Sequence, residues 1–214
     1  MTRIRVLVVD DQRLVRAGLR MLCEATEDLE VVGEAADGAE AVRLAAELAP
    51  DVVLMDLRMP GLDGVTATRL VTSARQQSKV LVLTTFDDDE HLYPALTAGA
   101  AGFLVKDTSP ADLADAIRRT ADGDYPLSPH LLRRLVDRAV DATPAGDPAP
   151  EQVPLTARER DVLPLVVDGM SNQDIADRLH LGVSTVKTHV ANLMDKTGSA
   201  NRVQLAVYGC RRME

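Results

Sequence analysis

Three carboxylates, one threonine hydroxyl and one lysine ammonium close short apolar runs in the first half of this 214-residue sequence. Asp10 and Asp11 follow VLVV, Asp56 follows VVLM, Thr84 follows VLVL and Lys106 follows FLV. If the runs are parallel strands, the residues at their carboxyl ends meet in one crevice, the place where open parallel sheets do chemistry. Three crowded carboxylates repel one another unless a cation neutralises them, and an all-oxygen ligand set with room for water suits Mg²⁺. A hydroxyl and an ammonium on the far side would then hold a phosphoryl group. Singly, Asp10 and Asp11 read as turn or cap residues, Thr84 as a strand residue and Lys106 as a surface charge. Their coincidence at four strand ends is what points to phosphoryl chemistry.

The elements that must position these groups follow from periodicity. Apolar runs at 6–9, 31–32, 52–55, 80–83 and 103–105 alternate with helical spacings such as Val15, Leu19, Leu22 and Leu113, Ala116, Ile117, Thr120. Nearly continuous β-branched and leucine runs, without in/out alternation, imply strands covered on both faces. The expected fold is therefore α/β, a doubly wound five-stranded parallel sheet between helical layers. The stretch DATPAGDPAP at 141–150, with three prolines and little to bury, reads as a linker, and 129–142 as an amphipathic helix leading into it. Beyond it the β-branched runs give way to short helices broken by Gly169, Gly182 and Gly198. The expected domains are 1–124, a helix and linker over 125–153, and a small all-α domain over 154–214.

Composition narrows the function. Hydrophobic content of 46% with 27% charged residues excludes wholesale disorder and low-complexity architecture. No run approaches the ~18 apolar residues of a membrane span, and VLVV before two aspartates is too short for a signal-peptide core. Cys23 and Cys210 lie far apart without CxxC spacing, and His91, His130, His180 and His189 show no ligand spacing, so neither a disulfide framework nor a zinc site is indicated. A cytoplasmic location is expected. The net charge of −9 argues against a protein that coats nucleic acid, yet it is unevenly spread. Residues 1–140 carry 16 basic against 23 acidic side chains, residues 151–214 balance at 8 and 8, and residues 180–214 hold 5 basic against 2 acidic. Polyanion contact is expected in that last stretch.

The second part parses as helix, tight turn, helix. Thr156 with Glu159 has capping-box spacing, and Ser171 with Asp174 makes a similar start. Ile175, Ala176 and Leu179 form one face of a short helix; Gly182 is expected to supply the turn; Val186, Val190, Leu193 and Met194 form the apolar face of a longer one. Thr185, Lys187 and Thr188 stand near the start of that second helix, which is the logic of a helix-turn-helix reader. Pro164 removes the bond to the Arg160 carbonyl, so a kink or an early end is expected there.

Taken together, these residues carry a family resemblance. VLVVDDQ, VVLMDLRMPGLDG, VLVLTTFDDDE and GFLVKD resemble the flavodoxin-like receiver domain of bacterial two-component response regulators, over residues 3–122. LTARE, SNQDIADRL, STVKTHV and TGSANR resemble the LuxR-type helix-turn-helix, and the pair together resembles a NarL/FixJ-type response regulator. The resemblance implies that Asp56 accepts a phosphoryl group from a sensor histidine kinase. It implies that Asp10, Asp11, Asp56 and the backbone carbonyl of Arg58 hold Mg²⁺ and that Lys106 contacts the phosphoryl oxygens. Thr84 would be the switch hydroxyl, Phe103 the ring that turns with it, and Arg58 and Phe86 would gate attacking water.

Thr185, Lys187, Thr188, His189 and Asn192 would face double-stranded operator DNA, with Arg202 placed for phosphate contact or packing. A fourth helix near Arg202–Arg211 would pair two such domains, giving a homodimer upon phosphorylation, and RNA polymerase is admitted as a further partner. Such a protein is not an enzyme beyond its own phosphoryl transfer and dephosphorylation. Two other readings share features with it. A Mg²⁺-dependent aspartyl-phosphate phosphatase or phosphotransferase would have the same acidic crevice but no DNA-reading domain, and a receiver-based interaction module would bind no specific DNA. Activation by unmasking and activation by dimerisation both stay open. One departure stands out: Lys106 is followed by Asp107 where most receivers have a cis-proline, so this bond is either strained, at about 3–4 kcal/mol, or trans.

Overall fold

The apolar runs pair side by side as a parallel sheet in the order β2-β1-β3-β4-β5, with strands β1 (Ile4–Val9), β2 (Leu29–Ala35), β3 (Val52–Asp56), β4 (Lys79–Thr84) and β5 (Gly102–Val105). This is a computed structural model, and it describes residues 3–74, 77–84, 89–127, 153–199 and 201–213. The expected linker at 141–150, the helix at 129–142, His130 and Phe86 lie outside the described residues. The chain divides into two compact units, Met1–Pro126 and Leu127–Glu214.

In the first unit helices α1 (Arg13–Glu24), α2 (Gly38–Leu48), α3 (Gly64–Ala74), α4 (Asp89–Thr97) and α5 (Pro110–Ala121) alternate with the strands. Alternate strand residues serve opposite layers. Val6, Val8, Leu54, Leu81 and Leu83 pack with Cys23 of α1 and with Leu113 and Ile117 of α5 in one buried cluster. Leu7, Val9, Val53, Met55 and Val82, equally buried, turn to the other face. A strand buried on both faces reads as a continuous apolar run, as these do. The order reverses direction between β1 and β3, and a crevice opens at such a switch point beyond the carboxyl ends of the strands.

Two local devices hold the last strand in place. Ser109 caps α5, accepting the amide of Asp112, with Pro110 at the first helical position, so the residues after Lys106 serve as capping chemistry, as their types suggest. After α5 the chain turns through Gly123, at φ 76°, and Pro126 accepts the Phe103 amide at 3.0 Å. That segment covers the free edge of β5, whose open backbone groups would otherwise be available to another chain.

The second unit contains helices α6 (Ala157–Val167), α7 (Asn172–Leu179), α8 (Val183–Thr197) and α9 (Arg202–Met213). Both predicted capping boxes are formed, Thr156 with Glu159 and Ser171 with Asp174. The early end expected at Pro164 does not occur: α6 runs a full turn past it to Val167. Val162, Leu163, Leu165 and Val166 flank the proline and are all buried. Each buried side chain of this size contributes roughly 1.5–3 kcal/mol, enough together to offset the ~3 kcal/mol of one interior proline. The turn between α7 and α8 contains Gly182, as expected. Its left-handed residue is His180, at φ 53°, whereas Gly182 has an ordinary φ of −75° and caps the start of α8. Histidine is among the few non-glycine residues enriched in that conformation. Among the described residues, no helix is long and apolar enough to cross a membrane.

Candidate functional site: an acidic crevice and a helix-turn-helix

The four strand ends do converge. Asp56 and Thr84 are the last residues of β3 and β4, and Asp10 and Lys106 directly follow β1 and β5. Lys106 Nζ lies 2.7 Å from Asp10 Oδ2 and 2.9 Å from Asp56 Oδ2. Asp10 is fully buried and Asp56 is 3% exposed, while Asp11 stands open to solvent. One carboxylate oxygen from each of Asp10, Asp11 and Asp56 falls within 4.8 Å of the others. Burial pushes the Asp56 carboxyl up from its ordinary pKa, the Lys106 ammonium opposes this, and the neighbouring Asp10 charge adds to the rise. On Lys106 burial works against the ammonium, but hydrogen bonds to both aspartates outweigh it and hold its pKa above the usual lysine value.

Two buried carboxylates share one ammonium, with a third carboxylate at the rim, so the crevice carries excess negative charge. The donor set is all oxygen and closely grouped, the chemistry of a hard divalent cation. The residues present therefore fit Mg²⁺.

Around this core the sequence expectations are distributed unevenly. Thr84 and Phe103 are both buried, and Thr84 pairs with Val105 across β4 and β5. Arg58 is exposed in the loop after β3, and its backbone N–H donates to the Asp56 carboxylate. Every described peptide bond is trans, Lys106–Asp107 included, which resolves the alternative left by the missing proline.

Gly64 is a residue that motif reading passed over. Its amide donates to the Leu57 carbonyl at 3.0 Å, and a β-carbon at Gly64 would collide with the backbone of Asp56 and Leu57. The signal was present as the final glycine of MPGLDG, but only the folded loop shows what it touches. We expect Gly64→Ala to displace the Asp56 loop and to cost about 1–3 kcal/mol, the usual range for overpacking. Urea unfolding measures that cost. An unaltered midpoint would show that the loop yields freely.

The second unit presents a different surface. Along α8, Ser184, Thr185, Thr188 and Asn192 are exposed, Lys187 and His189 are half-buried, and Val186, Val190 and Leu193 face the core. One ionic contact ties this helix to α6. Glu159, nearly fully buried in α6, accepts Lys196 Nζ at 2.8 and 2.7 Å on its two oxygens and also the Thr156 amide. Burial works against the Glu159 charge, but these hydrogen bonds prevail and hold its carboxyl below the usual range. Arg202, 5% exposed, donates to Asn172 Oδ1 at 2.8 Å and to the Met170 carbonyl. Of the two roles left open for Arg202, packing is the one the fold uses. Arg212 donates to the Val153 carbonyl. Three of the five basic residues between 180 and 214 are thus engaged within the domain, so the sequence count overstated the charge facing a polyanion.

A doubly wound sheet with an acidic crevice and a lysine at its strand ends, on one chain with a helix-turn-helix bundle, defines a DNA-binding response regulator. The sequence matches the response regulator receiver domain over residues 6–118 and the luxR family of bacterial regulatory proteins over residues 153–209. It is 42% identical over 208 residues to the transcriptional regulatory protein LiaR of Bacillus subtilis (strain 168), covering 97% of each chain. The response regulator ChrA of a heme-sensing two-component system aligns with a TM-score of 0.56 at 36% identity, over 100% of this chain and 98% of that one. A structure of two RcsB dimers bound to two parallel DNAs aligns with a TM-score of 0.56 at 25% identity, over 97% and 98%. The chain belongs to the NarL/LuxR family of response regulators, and it is a DNA-binding regulator of transcription.

Proposed function

We propose that Asp56 takes a phosphoryl group from a sensor histidine kinase and that this modification sets how tightly the helix-turn-helix domain holds operator DNA. The observation that carries the reading is the bridge from Lys106 Nζ to both Asp10 and Asp56 at the carboxyl ends of three strands. In the reaction an Asp56 oxygen attacks phosphorus in line, the phosphorus–nitrogen bond of the donor phosphohistidine breaks, and the nitrogen leaves with the electron pair. Lys106 exchanges its contact with Asp56 for the transferring oxygens, and backbone amides of the β3–α3 loop stabilise the same charge. Asp10, Asp11, Asp56 and the Arg58 carbonyl would hold Mg²⁺, which supplies screening of the carboxylate and of the phosphoryl oxygens. The Thr84 hydroxyl is drawn to the modified Asp56, and Phe103 repacks with it. Hydrolysis of the acyl phosphate, gated by Arg58 and Phe86, returns the protein to its resting state.

In this reading residues 1–124 form the receiver, 125–153 a helix and linker, and 154–214 the DNA-binding domain, in a cytoplasmic protein. Thr185, Lys187, Thr188, His189 and Asn192 face the DNA. With three nearby basic groups engaged internally, one domain neutralises few phosphates, which favours binding as a dimer through α9. The RcsB relative is described as dimers on DNA. RNA polymerase would be the downstream partner.

The test is intact mass after incubation with a small phosphodonor. We expect the mass of one phosphoryl group to be gained with Mg²⁺ and not with excess chelator, together with tighter binding to promoter fragments. A chain that gains no mass with Mg²⁺ would overturn the reading.

A further inference from the structure

We propose that Arg16 is a positioning residue for the cation of the acidic crevice, holding the Asp10–Asp11 turn from behind through its main chain. The proposal rests on the Mg²⁺ reading above. Arg16 Nη1 donates to the Asp10 carbonyl at 2.7 Å and to the Asp11 carbonyl at 3.2 Å. These carbonyls precede the helical ladder of α1, which begins with the Arg16 amide bonding back to Gln12. A guanidinium supplies rigid, planar donors that a lysine cannot reproduce.

The rest of the turn is fixed as well. The Asp10 amide donates to the Ala35 carbonyl at 3.2 Å, and Asp10 Oδ1 accepts the Gln12 amide at 2.8 Å. Arg16 completes the set and reaches Asp11, whose side chain stands in solvent. Arg16 is itself held on its far side. Its side chain is 16% exposed, its Nε lies 3.8 Å from Glu34 Oε2 of β2, and Arg20 Nη1 meets the other oxygen of Glu34 at 3.1 Å.

Arg16 and Lys106 therefore divide the work. Lys106 occupies carboxylate oxygens that a cation also needs. Arg16 engages carbonyl oxygens of the same turn, and so orders Asp10 and Asp11 without competing for their carboxylates. Groups that orient metal ligands in this manner typically change affinity by about 10–100-fold when removed.

The experiment is calorimetric titration of the full chain with Mg²⁺, alongside thermal unfolding without the metal. Arg16→Met should bind Mg²⁺ about 10–100-fold more weakly. Arg16→Lys keeps the charge but cannot face the two carbonyls and Glu34 from separate nitrogens as Nη1 and Nε do, and should fall between it and the parent. A purely structural role would lower the unfolding midpoint and leave the dissociation constant in place. If Arg16→Met does not fold, Arg16→Lys decides; parental Mg²⁺ affinity in either folded variant overturns the proposal. If the parent itself takes up no Mg²⁺, the cation reading of the crevice fails first, and the role of Arg16 with it.

Discussion

Asp56→Asn is expected to gain no phosphoryl mass under conditions that modify the parent completely, and to unfold at a higher temperature than the parent when Mg²⁺ is absent. The first effect follows from the proposed role of Asp56 as the nucleophile. The second follows from charge: the substitution leaves Lys106 matched to Asp10 alone, at 2.7 Å. Burial raises the Asp56 pKa above its ordinary 3.8, so ionising this group costs stability in the folded state. The cost is absent below the ordinary value, where folded and unfolded chains are both protonated. It develops as pH rises from there through the folded-state value, and is full above it. The advantage of Asp56→Asn should therefore shrink toward zero in acid and reach a plateau near neutrality. Adding Mg²⁺ should reverse the order, since a ligand at 100 times its dissociation constant stabilises the parent by about 2.7 kcal/mol. Melting curves of both chains across pH, with and without the cation, test all three parts. A full phosphoryl adduct on the asparagine variant would remove Asp56 from its role.

Lys187→Ala should weaken operator binding by about 1–3 kcal/mol if Lys187 reaches a base edge, roughly 5–150-fold in affinity. The loss should come with relaxed preference at one operator position. Lys187 sits one turn into α8, half-buried beside the exposed Thr188, at the end of the helix that enters the major groove in this class of reader. A phosphate contact would behave otherwise, weakening all sequences equally and lowering the salt slope by about one counterion. Lys196 and Arg202 are tied to Glu159 and Asn172, so fewer basic groups of this stretch are expected to face a polyanion than the count implies. Titrations against a specific site and random DNA at several salt concentrations separate the two cases. Unchanged affinity for both would take Lys187 out of the interface.

Much of this molecule could be read from the chain because its signals are local or periodic. Strand runs buried on both faces are continuous in sequence, so VLVV, VVLM and VLVL mark the sheet, and the residue after each run falls at its carboxyl edge by construction. Capping boxes span four residues, and both formed where their spacing placed them. Expectations stayed open or incomplete where packing decides the outcome. The proline in α6 was expected to kink or end the helix because its cost is local, and the early end is avoided because the burial of Leu163, Leu165 and Val166 that outweighs this cost is tertiary. The turn at Gly182 was legible in the sequence, but that its left-handed residue is His180 follows only from how α7 closes.

The same division holds at the sites. Residue type and strand position alone determined that Asp10, Asp11, Asp56, Thr84 and Lys106 share a crevice, because a parallel sheet gathers the ends of its strands on one edge. Only the tertiary structure decided which charges meet: Lys106 on Asp10 and Asp56, Arg16 on the carbonyls behind them, Lys196 and Arg202 turned inward to Glu159 and Asn172. Those pairings join residues between 5 and 96 positions apart. No sequence periodicity encodes such separations; the packing of one helix or strand against another does.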